Sequence, residues 1–323
     1  MIASPDITLG CTYNVVPLGV EVPPLRRFEI VRDAGVFDYI NWLPKADQLA
    51  ACVAAAEQTG IPMTTGNVIL TLGRDDALLV QSMQNAARSG TQLVNVMLQT
   101  YHADGHELTD DEIVRSYLTM AAAGDAVGVA VAFEIHVDCW TEKFLRVLPI
   151  VDAVEARGVR FLLTVDYSHA IFKIDNAEEL AKSGVTSAQL DPFRADSLLA
   201  QWLARDIVAF AQFRPVAPNN PRNVWGRNPD GSQPRGIFYP FTQPKPGEWH
   251  VQDWDERKLD ACKHAFQTIL RYHRDHPASP LRYAITEVIP QPDYAMGGKF
   301  ELIDQNAAPA RWIREELDTL RSP

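Results

Sequence analysis

The sequence predicts an α/β protein folded as a single (β/α)8 TIM barrel over residues 1–323, with a long insertion after the seventh strand. Three observations predict it. Short apolar runs alternate with longer amphipathic segments eight times along the chain. The runs are mostly continuous, as expected of parallel strands buried on both faces. Polar residues close the last four runs at the C-terminal end, where barrels of this kind carry their chemistry.

The first run is ITLGCTYNVV, 7–16, and PPLRRFEIVRDAG after it has helical spacing and a terminal Gly. FDYINWLP, 37–44, is the second strand, and ADQLAACVAAAEQTG is a helix stopped by Gly60. IPMTTGNVIL, 61–70, is the third strand, followed by the helix DDALLVQSMQNAARSG. TQLVNVML, 91–98, is the fourth, with a helix in TDDEIVRSYLTMAAAGDAVG whose N-cap is Thr109. GVAVAFEIHVD, 128–138, is the fifth, followed by the helix FLRVLPIVDAVEARG. RFLLTVDYSH, 160–169, is the sixth, and its helix, DSLLAQWLARD, follows a longer excursion.

DIVAFAQFRPV, 206–216, is the seventh strand. Residues 217–251 are rich in Pro, Asn, Gly and aromatics and have no period, which marks a functional loop over the catalytic face. ERKLDACKHAFQTILRYHRDHP is the seventh helix, RYAITEVIP, 282–290, the eighth strand, and APARWIREELDTLRSP the closing helix. A doubly wound open sheet is the competing architecture, but the turn after the first run carries no GxGxxG.

The formal net charge of −11 disfavours nucleic acid as a partner. The four cysteines, at 11, 52, 139 and 262, have neither metal-site nor disulfide spacing, which reads as reduced thiols in a cytoplasmic protein. The N-terminus lacks the pattern of a signal peptide, and no run approaches the roughly 18 apolar residues of a membrane span. The expected partner is a small molecule, and a homodimer formed through the long loop is the competing use of that segment.

Strand five ends in Glu134, His136 and Asp138, strand six in Asp166 and His169, strand seven in Gln212 and Arg214, and strand eight in Glu287. One acid at a strand end is ordinarily a solvated terminus. Three acids at equivalent depth on neighbouring strands repel one another unless a cation compensates. One divalent ion held by Glu134, Asp166 and Glu287 is the economical reading, with manganese, magnesium or cobalt favoured by oxygen ligands and zinc as the alternative.

FEIH on strand five, DYSH on strand six and ITE on strand eight resemble the xylose isomerase-like barrel family of sugar and sugar-phosphate isomerases and epimerases. The resemblance implies a metal site of Glu134, Asp166, a strand-seven residue and Glu287, and a substrate contact at His169. It also implies catalysis by Glu134 and Glu287 as an acid–base pair. Where the family carries a His on strand seven, this chain has Gln212, as do the 3-dehydroshikimate dehydratases of the same family. An amide oxygen can bind a hard cation. His250 or His264 is the alternative nitrogen donor, although His264 reads as a structural residue of its helix.

His136 binds substrate, acts as a base or orients a ligand. Arg214 meets a substrate carboxylate or phosphate, or pairs with Glu287. Trp42 and Trp249 form a wall for a sugar ring or pack in the core. His102 is a surface loop residue or a substrate contact.

Two enzyme classes follow from the resemblance. The first is a metal-dependent isomerase or epimerase of a sugar or polyol, working through an enediolate. The second is a lyase that dehydrates a cyclic substrate or cleaves an oxidised glycoside. A repair nuclease of related architecture would need a His-rich multinuclear site, and the eight histidines here are scattered. A non-catalytic binding barrel would have no use for three acids in register.

Overall fold

The computed structural model describes residues 6–321. Among them, eight parallel strands close in sequence order, β1 through β8, with β1 pairing to β8. The strands are β1 Thr8–Thr12, β2 Tyr39–Asn41, β3 Met63–Leu70, β4 Leu93–Leu98, β5 Ala130–Glu134, β6 Leu163–Asp166, β7 Val208–Phe213 and β8 Tyr283–Thr286. Each lies inside the apolar run that predicts it, and all but β3 and β4 also stop short of its C-terminal end. The missing residues are the exits at the C-terminal mouth, where the chain leaves the ladder.

The helices are α1 Pro24–Asp33, α2 Leu49–Thr59, α3 Leu78–Ser89, α4 Asp110–Asp125, α5 Val147–Glu155, α6 Ser168–Ile171, α7 Ala177–Ser183, α8 Ser187–Leu190, α9 Leu198–Ala204, α10 Asp260–Asp275 and α11 Leu302–Arg321. Thr109 caps α4 in a capping box, its side chain accepting from Glu112 N while the Glu112 carboxylate accepts from Thr109 N. Glycines in the left-handed region, Gly60 and Gly90, end α2 and α3.

Two stretches differ from the pattern in the sequence. The excursion after β6 holds three short helices, α6 to α8, which periodicity cannot resolve at four to seven residues. The closing helix starts at Leu302, a full turn and more before Pro309, which sits inside it. Proline withholds one donor there. The first turn is held by Asn306, whose amide donates to Val288 O and Leu302 O while its oxygen accepts from Val288 N. Tertiary hydrogen bonds thus override the local stop signal.

Residues 214–255 carry neither helix nor strand. The segment is nonetheless packed, with Ile237, Phe238, Tyr239 and Trp249 buried. Asn220 donates to Gly236 O and Phe238 O and so closes the segment on itself. No helix among the described residues is long and apolar enough to cross a membrane. All four cysteines are free and buried.

Candidate metal centre at the barrel mouth

Side chains of a strand alternate between faces, so the inner wall can be read two residues at a time. Tyr39, Leu93, Ala132, Phe210 and Ile285 form a small buried cluster separate from the main core between sheet and helices. Two residues further along each strand come Asn41, Asn95, Glu134, Gln212 and Glu287. Leu162, just before β6, packs against the same cluster and is followed on its face by Thr164 and Asp166. The barrel interior therefore has an apolar lower layer and a polar upper one. All six upper residues, Asp166 included, are buried.

Ladder register brings the acids together. Asp166 pairs with Gln212 across β6 and β7, and Glu287 N donates to Phe213 O. Carboxylate oxygens of Glu134, Asp166 and Glu287 lie within 4.8 Å of one another. A second grouping, Glu134 with His136 and His169, meets the same limit.

Arg214 stands among these acids. It is fully buried, with Nη2 2.5 Å from Glu287 Oε2, Nη1 2.8 Å from Asp166 Oδ2, and Nε donating to Glu287 O. Of the two roles open for Arg214 from sequence, the pairing with Glu287 is the one present in the structure. Burial and the neighbouring Glu287 and Asp166 push the Glu134 carboxyl well above the usual range. Burial pushes Glu287 up to about 7, against the pull of Arg214. Burial would raise Asp166 too, but Arg214 and His169 outweigh it and hold that carboxyl below the usual range.

The imidazoles have assignable tautomers. His136 Nδ1 is 2.5 Å from Val137 O, an acceptor, so Nδ1 carries the proton. His136 Nε2 then accepts from the Tyr294 hydroxyl at 3.1 Å. Arg214 Nη1 donates to His169 Nε2 at 3.2 Å, leaving the His169 proton on Nδ1, which is buried without a partner. Burial is the main reason that both rings stay neutral, lowered to about 3 for His136 and about 4 for His169.

The residues fit a hard divalent ion. The donor set is carboxylate oxygen, and both amide atoms of Gln212 are buried with no hydrogen-bond partner. Ionising all three carboxylates against one guanidinium would leave a buried excess of two negative charges, which is why Glu134 and Glu287 hold their protons here and which a dication would neutralise. Glu134, Asp166 and Glu287 would hold it, with Gln212 as the uncharged fourth donor.

Sequence reasoning missed two members of this cluster. Asn95 donates to both Glu134 Oε2 and Asn67 Oδ1; its signal was a lone Asn inside the apolar run TQLVNVML. Tyr294, after β8, lays its ring 4.0 Å from the Arg214 guanidinium carbon. It is separated from its strand by a Pro-rich turn, so no period points to it. The other candidates make aromatic contacts. Trp42 stacks on Tyr13 at 4.1 Å, whereas Trp249 is buried among Trp225, Phe238 and Phe300. His250 packs against Trp249, and His264 stacks on Phe193.

The long segment docks on the exits of β5 and β8. Arg235 makes a two-pronged pair with Asp138 at 2.8 and 2.9 Å, and its backbone N–H donates to the Asp293 side chain. Asn223 donates to Pro292 O and Tyr294 O. Asp138 has φ 61°, a left-handed conformation that costs a non-glycine residue energy and is held here by its partners. Arg235→Ala is expected to speed limited proteolysis within 217–251 while leaving the far-ultraviolet dichroism unchanged. Cleavage at the wild-type rate would show that the pair does not fasten the segment.

The Glu287 shift makes a second expectation. A carboxyl raised in the folded state contributes stability that is full below its unfolded value, about 4.5, and lost as pH rises through about 7. Buried neutral His136 and His169 pull the other way over this range, so the Glu287 share is read by difference: between about pH 5.5 and about pH 8, chelator-treated wild type should lose more urea stability, or gain less, than chelator-treated Glu287→Gln, and a divalent ion should erase that difference. The same difference with and without ion would contradict the cage.

No family model matches the chain, and no curated protein matches its sequence. Solved structures do match its fold. A D-allulose 3-epimerase from Methylomonas sp. aligns with a TM-score of 0.59 at 13% identity, covering 98% of this chain and 100% of that one. A xylose isomerase domain protein from Alicyclobacillus acidocaldarius subsp. acidocaldarius aligns at 0.56 with 14% identity, covering 98% and 100%. A probable 3-DHS dehydratase from Bacillus anthracis, involved in petrobactin synthesis, aligns at 0.56 with 12% identity, covering 95% and 99%. By its fold, then, the chain is a closed (β/α)8 barrel similar to those of this epimerase and this xylose isomerase domain protein.

Proposed function

We propose that this protein is a divalent-metal-dependent isomerase or epimerase of a sugar or polyol-type substrate. The observation that carries the reading is the meeting of three buried carboxylates from β5, β6 and the exit of β8 inside the barrel mouth. A bound divalent ion would polarise a substrate carbonyl and offset the charge that grows on its oxygen when the adjacent proton leaves.

The chain's own groups supply the rest. Glu134 and Glu287, on well-separated strands, flank the carbon beside the carbonyl. One removes its proton and the other returns a proton from the opposite face. Asn95 orients Glu134, and Arg214 orients Glu287. His136 and His169, with ring centroids 4.1 Å apart, bind substrate hydroxyls beside Glu134. The 217–251 segment covers the mouth and limits water.

The neighbours fit a carbohydrate substrate: one of them is a D-allulose 3-epimerase in complex with D-allulose. Gln212 in place of a histidine favours a second reading, a lyase of the dehydratase type. There the lone pair of neutral His136 Nε2, released from the Tyr294 hydroxyl, would take the proton lost by the substrate carbon and hand it to the departing hydroxyl, which leaves as water. A panel of ketoses, aldoses and cyclitols, incubated with the manganese-loaded protein, tests both. Product of unchanged mass supports the epimerase, loss of water supports the lyase, and no turnover of any member counts against the proposed substrate class.

A further inference from the structure

The loop after β4 folds into a hairpin, with Tyr101 bridged to Glu107 and His102 N donating to His106 O. Gly105, at φ 96°, makes its turn. The sequence across it is His102-Ala103-Asp104-Gly105-His106. The two imidazole rings stack with centroids 4.7 Å apart, and the tip residue Asp104 turns its carboxylate back between them.

Proton positions decide what this arrangement is. Asp104 N donates to His102 Nδ1, so that nitrogen presents a lone pair. The Glu112 carboxylate lies 3.0 Å from His106 Nε2 and calls for a proton there, while the Asp104 carboxylate calls for one at Nδ1 that an incoming ion would replace. Asp104 Oδ1 is 3.0 Å from His102 Nδ1 and 2.5 Å from His106 Nδ1. Ligand atoms of the three side chains thus lie within 4.8 Å of one another, and an ion among them would take the place of the hydrogen between His106 Nδ1 and Asp104 and of the Asp104 N–H bond to His102. The wall behind is close-fitting: a Cβ on Gly73 would come within 2.4 Å of the His102 ring.

We propose that His102, Asp104 and His106 form a second cation site, outside the barrel, for a transition-metal dication such as zinc. Two imidazoles and a carboxylate, with coordination positions open to water, are the ligand set of borderline-soft ions. Glu112 holds the far nitrogen of His106, the carboxylate–imidazole–metal arrangement that fixes a ligand's tautomer and raises its basicity. The same carboxylate closes the capping box of α4. A bound ion would therefore staple the hairpin to the first turn of that helix, beside the β5 exit that Thr100 N reaches at Asp138 O. An extra proton shared by His106 and Asp104 is the competing explanation of the short contact.

Equilibrium dialysis of the full chain against zinc alone separates the explanations. At micromolar free zinc, the wild type should retain one equivalent more than His102→Ala/His106→Ala, with unchanged far-ultraviolet dichroism. Glu112→Gln keeps the capping box, because glutamine serves there as well, and should weaken the hairpin equivalent by about 10–100-fold. Asp104→Asn, which spares both imidazoles, should weaken it as well. Equal retention by the wild type and the double histidine variant would overturn the site. So would full affinity in Asp104→Asn and Glu112→Gln, since loose binding by surface histidines needs neither carboxylate. The barrel centre is scored separately in Glu134→Gln/Asp166→Asn, which should lose its own equivalent and keep the hairpin's.

Discussion

Glu134→Gln is expected to slow turnover by about 10²–10⁴-fold, the usual cost of removing a general base, and Glu287→Gln by a similar factor. Glutamine keeps the shape and one oxygen, so some metal should remain bound. The two variants need not be equivalent. Glu134 is held by the neutral amide of Asn95, whereas Glu287 is locked to the cationic Arg214 at 2.5 Å. A carboxylate facing a guanidinium is the weaker base, because the cation favours its charged form. Glu134 is therefore the better candidate for the first proton removal. Exchange of the substrate's α-proton with deuterated solvent reads this directly. Exchange lost in Glu134→Gln but retained in Glu287→Gln assigns the first step to Glu134. Wild-type exchange in both variants would move the base elsewhere, with His136 next in line.

The second large effect is on stability. Arg214→Met keeps a long apolar stem but withdraws the cation from Asp166 and Glu287, both buried. Removing one partner of a buried ion pair typically costs about 3–5 kcal/mol, because the other charge is left uncompensated. Urea unfolding of chelator-treated protein should show a loss of that order. Manganese should restore part of it, by binding the folded state and supplying the missing charge. Arg214→Met/Glu287→Gln should recover stability relative to Arg214→Met. A loss under about 1 kcal/mol, the worth of an exposed pair, would mean that water reaches the acids and that the site is far wetter than its burial indicates.

The barrel was legible because its information is local and repeated. Continuous apolar runs such as TQLVNVML, followed by an amphipathic stretch and repeated along the chain, can hardly belong to another architecture. Glu134, Asp166, Gln212 and Glu287 were legible because strand alternation and a shared depth follow from position alone. Arg214 was only half legible: its place on β7's exit was clear, but which anion it meets depends on side-chain packing across three strands. Tyr294 and Arg235 were not legible, because irregular loops set their positions through hydrogen bonds between distant segments, such as Asn223 to Tyr294 O. The hairpin's His-Ala-Asp-Gly-His carried a visible spacing. Read as an isolated His102 in a surface loop, it gave no hint that the chain turns back on itself.

The apolar layer of Tyr39, Leu93, Ala132, Phe210 and Ile285 has a kinetic consequence. It stoppers the barrel from below, with the Tyr39 hydroxyl bonded to Ala284 O across the interior. A molecule bound at the carboxylates therefore has one doorway, at the end where 217–251 lies. Arrivals and departures share it and must take turns. If the segment has to lift for each exchange, the ceiling on the catalytic cycle is set by how often that doorway opens, and added viscogen should slow the enzyme even where the chemistry itself is fast.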